Sequence, residues 1–168
     1  TTTSRMVSTI LEKAGFASVH NRTGSNLIRG IASILLENSN LIGKFKADFG
    51  IFETDEAILP QAILATSPNF VLLTNLFRDQ LDRYGEIDKI KKIWLEALLQ
   101  LNKNSTVLLN ADDPAIAHLG HRLIAKVNYF GVEDKAVGEK RLSRFADAKY
   151  CGFCSSPLDY EIVYISHL

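Results

Sequence analysis

Apolar and polar positions alternate along this chain between helical spacing and short continuous apolar runs. In residues 3–14, Met6, Val7, Ile10, Leu11 and Ala14 share one helical face, and Gly15 follows as a C′ stop. Residues 17–20 read as a short strand, and Asn21-Arg22-Thr23-Gly24-Ser25-Asn26 as a polar loop. Residues 27–37 predict a helix with Leu27, Ile31, Ile34 and Leu35 apolar; residues 47–53 predict a strand around Phe49, Ile51 and Phe52. Residues 55–64 are helical in pattern, with Pro60 weakening or splitting the helix. Phe70-Val71-Leu72-Leu73 is a buried-strand run within residues 69–74. Residues 87–101 form the clearest amphipathic helix, with Ile90, Ile93, Trp94, Ala97, Leu98 and Leu101 inward. Residues 106–109 and 127–130 are further strands. Between them Asp113 and Pro114 suit the N-cap and N1 positions of a short helix to Leu119.

Strands apolar on both faces, alternating with helices, predict an α/β fold: a parallel sheet flanked by helices. Ligands in such sheets sit at the carboxyl ends of strands. Three polar segments fall there, at residues 53–56, 74–85 and 110–113. After Gly131 the composition changes. Residues 132–149 mix Lys135, Lys140, Arg141 and Arg144 with Glu133, Asp134 and Glu139, as a solvated connector would. Residues 150–168 read as a small separate module with a strand at 160–165. The predicted organisation is therefore 1–131, 132–149 and 150–168. The chain opens inside a helix and stops just past a strand, so we expect it to be a fragment of a longer protein.

Charge narrows the function classes. Lys plus Arg number 19 and Asp plus Glu number 19, so there is no net charge to favour nucleic acid. No apolar run approaches the roughly 20 residues of a membrane span, and the opening residues form no signal peptide. A cytoplasmic protein is the default expectation. Cys151 and Cys154 are too few for a disulfide framework.

Several residues carry candidate chemistry. Threonines opening a helix at the start of an α/β unit suit the end of a phosphate loop, although Thr1-Thr2-Thr3 lacks the loop's Gly and Lys, and such a turn on its own is more often just capping. Glu53, ending a buried strand, suits Mg²⁺, which takes one or two protein oxygens beside phosphates. For Asp55 and Glu56 the reading is a helix cap and first-turn charge. The segment Thr74-Asn75-Leu76-Phe77-Arg78-Asp79-Gln80-Leu81-Asp82-Arg83-Tyr84-Gly85 is dense in polar groups directly after a strand. Cys151-Gly152-Phe153-Cys154 has the spacing of half a four-thiolate zinc site; a redox pair would need a following helix, which Ser155-Ser156-Pro157 disfavours. His20, His118, His121 and His167 share no ligand spacing with the cysteines.

Taken together, the segments Thr1 to Met6, Asn21 to Leu27, Phe52 to Ala57, Thr74 to Gly85, Asn110 to Pro114 and Tyr150 to Cys154 resemble the central, ATP-binding domain of the Mur ligase family. Its MurT branch, the synthetase subunits of lipid II isoglutaminyl synthase, fits best because of the Cys pair after Ser143 to Ala148. The resemblance implies a P-loop-type sheet and a glutamine-dependent, ATP-driven amide ligase of peptidoglycan synthesis. It also implies an acyl phosphate on the D-glutamate α-carboxylate of the lipid II stem peptide, and ammonia from a GatD-type glutaminase. Thr1, Glu53 and Asn110 fall at the family's ATP/Mg²⁺ positions, with Asn26, Asn75, Asp79, Asp82 and Arg83 in nucleotide or substrate loops. Cys151 and Cys154 become half of a structural zinc ribbon, whose second Cys pair would lie shortly after Leu168. Departures are the Gly-Lys of the phosphate loop and the closing C-terminal domain, both outside this chain, so the chain alone is expected to be inactive. Gln80 stands where many family members have a metal-binding histidine, and none of Lys89, Lys91 and Lys92 is assignable as a carbamylated lysine. The competing readings are another Mur-type ligase, of folylpolyglutamate or cyanophycin synthetase kind, and a non-catalytic zinc-ribbon module on a nucleotide-binding scaffold.

Overall fold

The computed structural model describes residues 2–21, 26–76, 86–134, 136, 138, 150–151 and 153–164. The chain forms two compact units, Thr1–Thr66 and Ser67–Leu168.

The first unit contains α1 (Thr2–Lys13), β1 (Ser18–His20), α2 (Ile28–Glu37), β2 (Phe49–Ile51) and α3 (Leu59–Thr66). Strands β1 and β2 pair in parallel, with Ser18 opposite Phe49 and His20 opposite Ile51. The α1 helix ends as its sequence predicts. Gly15 adopts φ +88°, and the Gly15 and Phe16 N–H groups donate to the Glu12 and Leu11 carbonyls at 3.1 and 3.0 Å. The apolar stripe of α1 is not buried: Met6 and Ile10 are 60% and 65% exposed. The buried residue of α1 is Ser8, whose hydroxyl lies 2.7 Å from that of Ser18 on β1. The expected helix over 55–64 starts later, at Leu59. Pro60 explains the shift without a split, because a residue lacking N–H fits only the first turn. Asp55 closes the preceding turn through its carbonyl, which accepts from the Ile58 and Leu59 N–H groups at 3.0 and 3.2 Å, and Glu56 lies before the helix rather than in its first turn.

The second unit contains β3 (Phe70–Leu73), α4 (Glu86–Leu98), β4 (Thr106–Asn110), α5 (Pro114–Leu119), the 3-10 turn η1 (Gly120–Arg122) and β5 (Lys126–Phe130). Its sheet is parallel in the order β3-β4-β5, with Phe70 opposite Thr106 and Thr106 opposite Lys126. Each strand-to-strand step passes through a helix, the βαβ arrangement that parallel pairing requires. Central strand β4 supplies Val107 and Leu109 to the core, α5 packs on β4 with Ile116 and Leu119 buried, and α4 packs on α5 with Trp94 and Leu98 buried. Strand β3 alternates rather than burying both faces: Val71 and Leu73 are buried, whereas Phe70 is 67% exposed. Residues 160–164 form no continuous strand, against the expectation for that segment. Among the described residues no helix is long and apolar enough to cross a membrane.

Candidate functional site

At the carboxyl ends of β1 and β2, one buried amide ties the two strands together. The Asn21 side chain donates to the Glu53 carbonyl at 2.7 Å and accepts from the Glu53 N–H at 2.8 Å. Asn21 is buried, so this two-point clamp satisfies polar atoms that water does not reach. It fixes the backbone from which the half-buried Glu53 carboxylate projects. Asn26 joins the same end through its carbonyl, which accepts from the Asp55 N–H at 3.3 Å.

The second unit has its own strand-end cluster. The Asn110 amide donates to the Asn75 side-chain oxygen at 2.9 Å, joining the ends of β4 and β3. The Asn110 side-chain oxygen accepts from the Asp112 N–H at 2.9 Å, which turns the chain sharply after β4. Asp113 then caps α5, accepting from the Ala115 and Ile116 N–H groups at 2.9 and 3.2 Å through one oxygen. Its other oxygen accepts from the Leu76 N–H at 3.0 Å. Asp112 reaches the end of β5, accepting from the Val132 N–H at 2.8 Å. A Cβ at Gly131 would stand 3.0 Å from that Asp112 carboxylate, so any larger residue there needs the carboxylate to shift by a few tenths of an ångström.

The sequence singled out Asn26, Glu53, Asn75 and Asn110; the structure bonds Asn75 to Asn110 at the ends of β3 and β4, and bonds Asn26 to Asp55, two residues past Glu53, near the end of β2. Thr1, Asp79, Gln80, Asp82, Arg83 and His167 lie outside the described residues. Sequence reasoning passed over the clamp made by Asn21, and the reach of Asp113 back to Leu76. A lone Asn at a strand end was a visible signal for the first; the second joins residues 37 positions apart and left no local trace.

The cysteines occupy a tight reversal. Tyr150 bridges Pro157 in antiparallel register, and the Cys151 N–H donates to the Ser156 carbonyl at 2.8 Å. The Phe153 N–H donates to Cys151 Sγ at 3.4 Å, and Ser155 adopts φ 58°. Hydrogen bonding from Ser156, and then from Cys151, holds the exposed Cys154 thiol below its usual range. A turn that aims N–H groups at sulfur and favours thiolate suits a pair of metal ligands. Among the described residues, however, no group of three or more His, Cys, Asp or Glu could hold a metal, so this is at most half of a tetrahedral site.

A profile of the Mur ligase middle domain matches residues 1–165. The chain belongs to the Mur ligase family. Over its whole length it is 32% identical to a Staphylococcus aureus (strain COL) protein named lipid II isoglutaminyl synthase (glutamine-hydrolyzing) subunit MurT, covering 37% of that protein. Over 96% of its length it is 32% identical to the Streptococcus pneumoniae R6 protein of the same name, covering 35% of it. It is also 28% identical over 136 residues to the UDP-N-acetylmuramate–L-alanine ligase of Chlorobaculum tepidum, covering 81% of this chain and 26% of that enzyme. The Mur ligase chain described here thus spans about a third of the length of these relatives. The Glu53 carboxylate, on a backbone fixed by Asn21, is a hard oxygen donor at a strand end, of the kind that suits Mg²⁺.

Proposed function

We propose that this chain is the middle domain of an ATP-dependent amide ligase of the MurT kind. On this reading the α-carboxylate of D-glutamate in the lipid II stem peptide takes the γ-phosphoryl group of ATP, and ADP leaves. Ammonia, released from glutamine by a GatD-type glutaminase, then attacks the acyl carbon and displaces phosphate, giving D-isoglutamine. The observation that carries the reading is identity of 32% to MurT proteins, spread over the entire chain.

The chain's residues serve this chemistry by holding nucleotide. Glu53 is the carboxylate we assign to Mg²⁺, which supplies charge neutralisation at the phosphates when bound. Asn21 positions Glu53. Asn110 is assigned beside the adenine, with Asn75 holding its amide in place. Thr1, Asp79, Asp82 and Arg83 are assigned to the phosphate and substrate loops, and Asn26 to the loop beside Glu53. Cys151 and Cys154 are assigned as two of four thiolate ligands of a structural zinc, remote from the reaction. We also take 1–131 as the nucleotide-binding part, 132–149 as connector and 150–168 as the start of the ribbon, in a cytoplasmic enzyme.

The test is reconstitution. Full-length protein with its glutaminase partner, lipid II, ATP and glutamine should yield amidated lipid II with one ADP released per amide. ADP release without amidation, or amidation of a different carboxylate, would overturn the substrate assignment. No ATP dependence would overturn the ligase reading.

A further inference from the structure

A cleft of about 250 Å³ opens in the second unit between α4 and α5. Its floor is apolar, made by Leu95, Pro114 and Leu119. Its walls are basic: the permanent cations Lys91 and Lys92 come from α4 and Arg122 from η1, with the His118 imidazole of α5 between them. Tyr150, from the cysteine turn, lines one side. None of the residues of the strand-end cluster, Asn75, Asn110 or Asp112, lines it.

The charge in this cleft is unbalanced. Asp88 pairs with Lys91 at 2.5 Å, but its side chain is 78% exposed, and such i,i+3 surface pairs are weak. Among the described residues, three permanent cations line the cleft and no carboxylate does, which leaves an excess of positive charge. His118 reports the field: its imidazole is held below the usual value by burial first, then by His121, Lys91 and Arg122. All three charged contributors are bases. The ring of His118 also lies 6.1 Å from that of Phe153, so the cysteine turn closes over this side.

We propose that this cleft binds a small phosphate monoester with an apolar or aromatic body. The dianion is met by two permanent cations, Lys91 of α4 and Arg122 of η1, with the neutral His118 imidazole of α5 as a hydrogen-bonding neighbour, and the body rests on Leu95 and Leu119 beside Tyr150. Phosphate suits the donor set because a planar guanidinium and point-charge ammonium together serve three acceptor oxygens. Size limits the ligand, since the cleft falls below the roughly 300–1,000 Å³ of drug-sized sites.

The experiment is calorimetric titration of the full-length protein with phenyl phosphate, with a non-hydrolysable ATP analogue and Mg²⁺ present at saturation to occupy the nucleotide site. One saturable event is expected, with inorganic phosphate binding several-fold more weakly. Lys91→Ala/Arg122→Ala should weaken phenyl phosphate at least tenfold. Tyr150→Ala, a change at an exposed ring, should weaken phenyl phosphate but leave inorganic phosphate unchanged. Absence of saturable binding, unchanged binding in the double variant, or equal affinity for the two probes would overturn the proposal.

Discussion

The Asp113 carboxylate accepts the Leu76 N–H at 3.0 Å while capping α5 with its other oxygen. One side chain thus joins the segment after β3 to the helix after β4. Leu76 is buried, so its N–H has no ready alternative in water. Asp113→Ala should cost about 2–4 kcal/mol, combining a lost cap with an unsatisfied buried donor. Asp113→Asn keeps a capping oxygen but turns an amide N–H toward Leu76, so it should fall between wild type and Ala. Urea midpoints of the three proteins check the order. Equal midpoints for Asn and wild type would remove the Leu76 contact from the account.

Asn21 is an amide because Glu53 offers it both a donor and an acceptor. Asn21→Asp keeps the shape but loses the N–H toward the Glu53 carbonyl and brings buried charge. It should destabilise the protein by about 1–3 kcal/mol, comparably to or more than Asn21→Ala. Hydrogen exchange at the Glu53 amide should accelerate in both. Unchanged protection there would show that the clamp is not holding β2.

Acid should weaken the fold partly through His118. Its folded-state value lies below the ordinary 6.5, so above about pH 6.5 both folded and unfolded forms are neutral. As pH falls below that, the unfolded chain takes a proton the folded chain resists, and stability is lost down to the folded value. His118→Gln should therefore lose less stability than wild type between pH 7.5 and pH 5.5, measured as urea midpoints. An equal or larger loss in the variant would contradict the burial and charge assigned to His118.

The cysteine turn predicts metal in the intact protein. Structural zinc takes four ligands, and Cys151 and Cys154 supply two. Carefully prepared full-length protein should carry one zinc, and Cys151→Ser should lose it. Zinc-free native protein that is otherwise folded would return the pair to the redox alternative.

Much of the fold was legible in the residues: the Trp94–Leu98 face of α4 carries a clear helical period, and the apolar run Phe70 to Leu73 marked a strand, although not that one of its faces is exposed. The Asp113-Pro114 start of α5 was legible too, since both residues have strong positional preferences. What failed depended on partners. The Met6 and Ile10 stripe shows that α1 is amphipathic but not what covers it. The alternation over 160–164 resembles a strand, yet only Val163 there has bridge pairing, and a continuous strand needs a continuous ladder. The start of α3 follows a local rule, that proline belongs in the first turn, which places it at Leu59 rather than at residue 55. The positions of Glu53 and Asn110 at strand ends were legible, and their roles belong to the proposal. The bonds from Asn21 and Asp113 that hold these segments join distant positions, and spacing along the chain does not reveal them.

Glu53 is where the account is most exposed. The direct measurement is the rate of ATP-dependent lipid II amidation by the full-length protein and its glutaminase, across a Mg²⁺ titration, for wild type and Glu53→Gln. Loss of one anionic oxygen ligand should raise the Mg²⁺ needed for half-maximal rate and lower turnover at least tenfold, with the circular dichroism spectrum unchanged. Wild-type rates for Glu53→Gln at every Mg²⁺ concentration would make Glu53 a structural carboxylate and contradict the assignment.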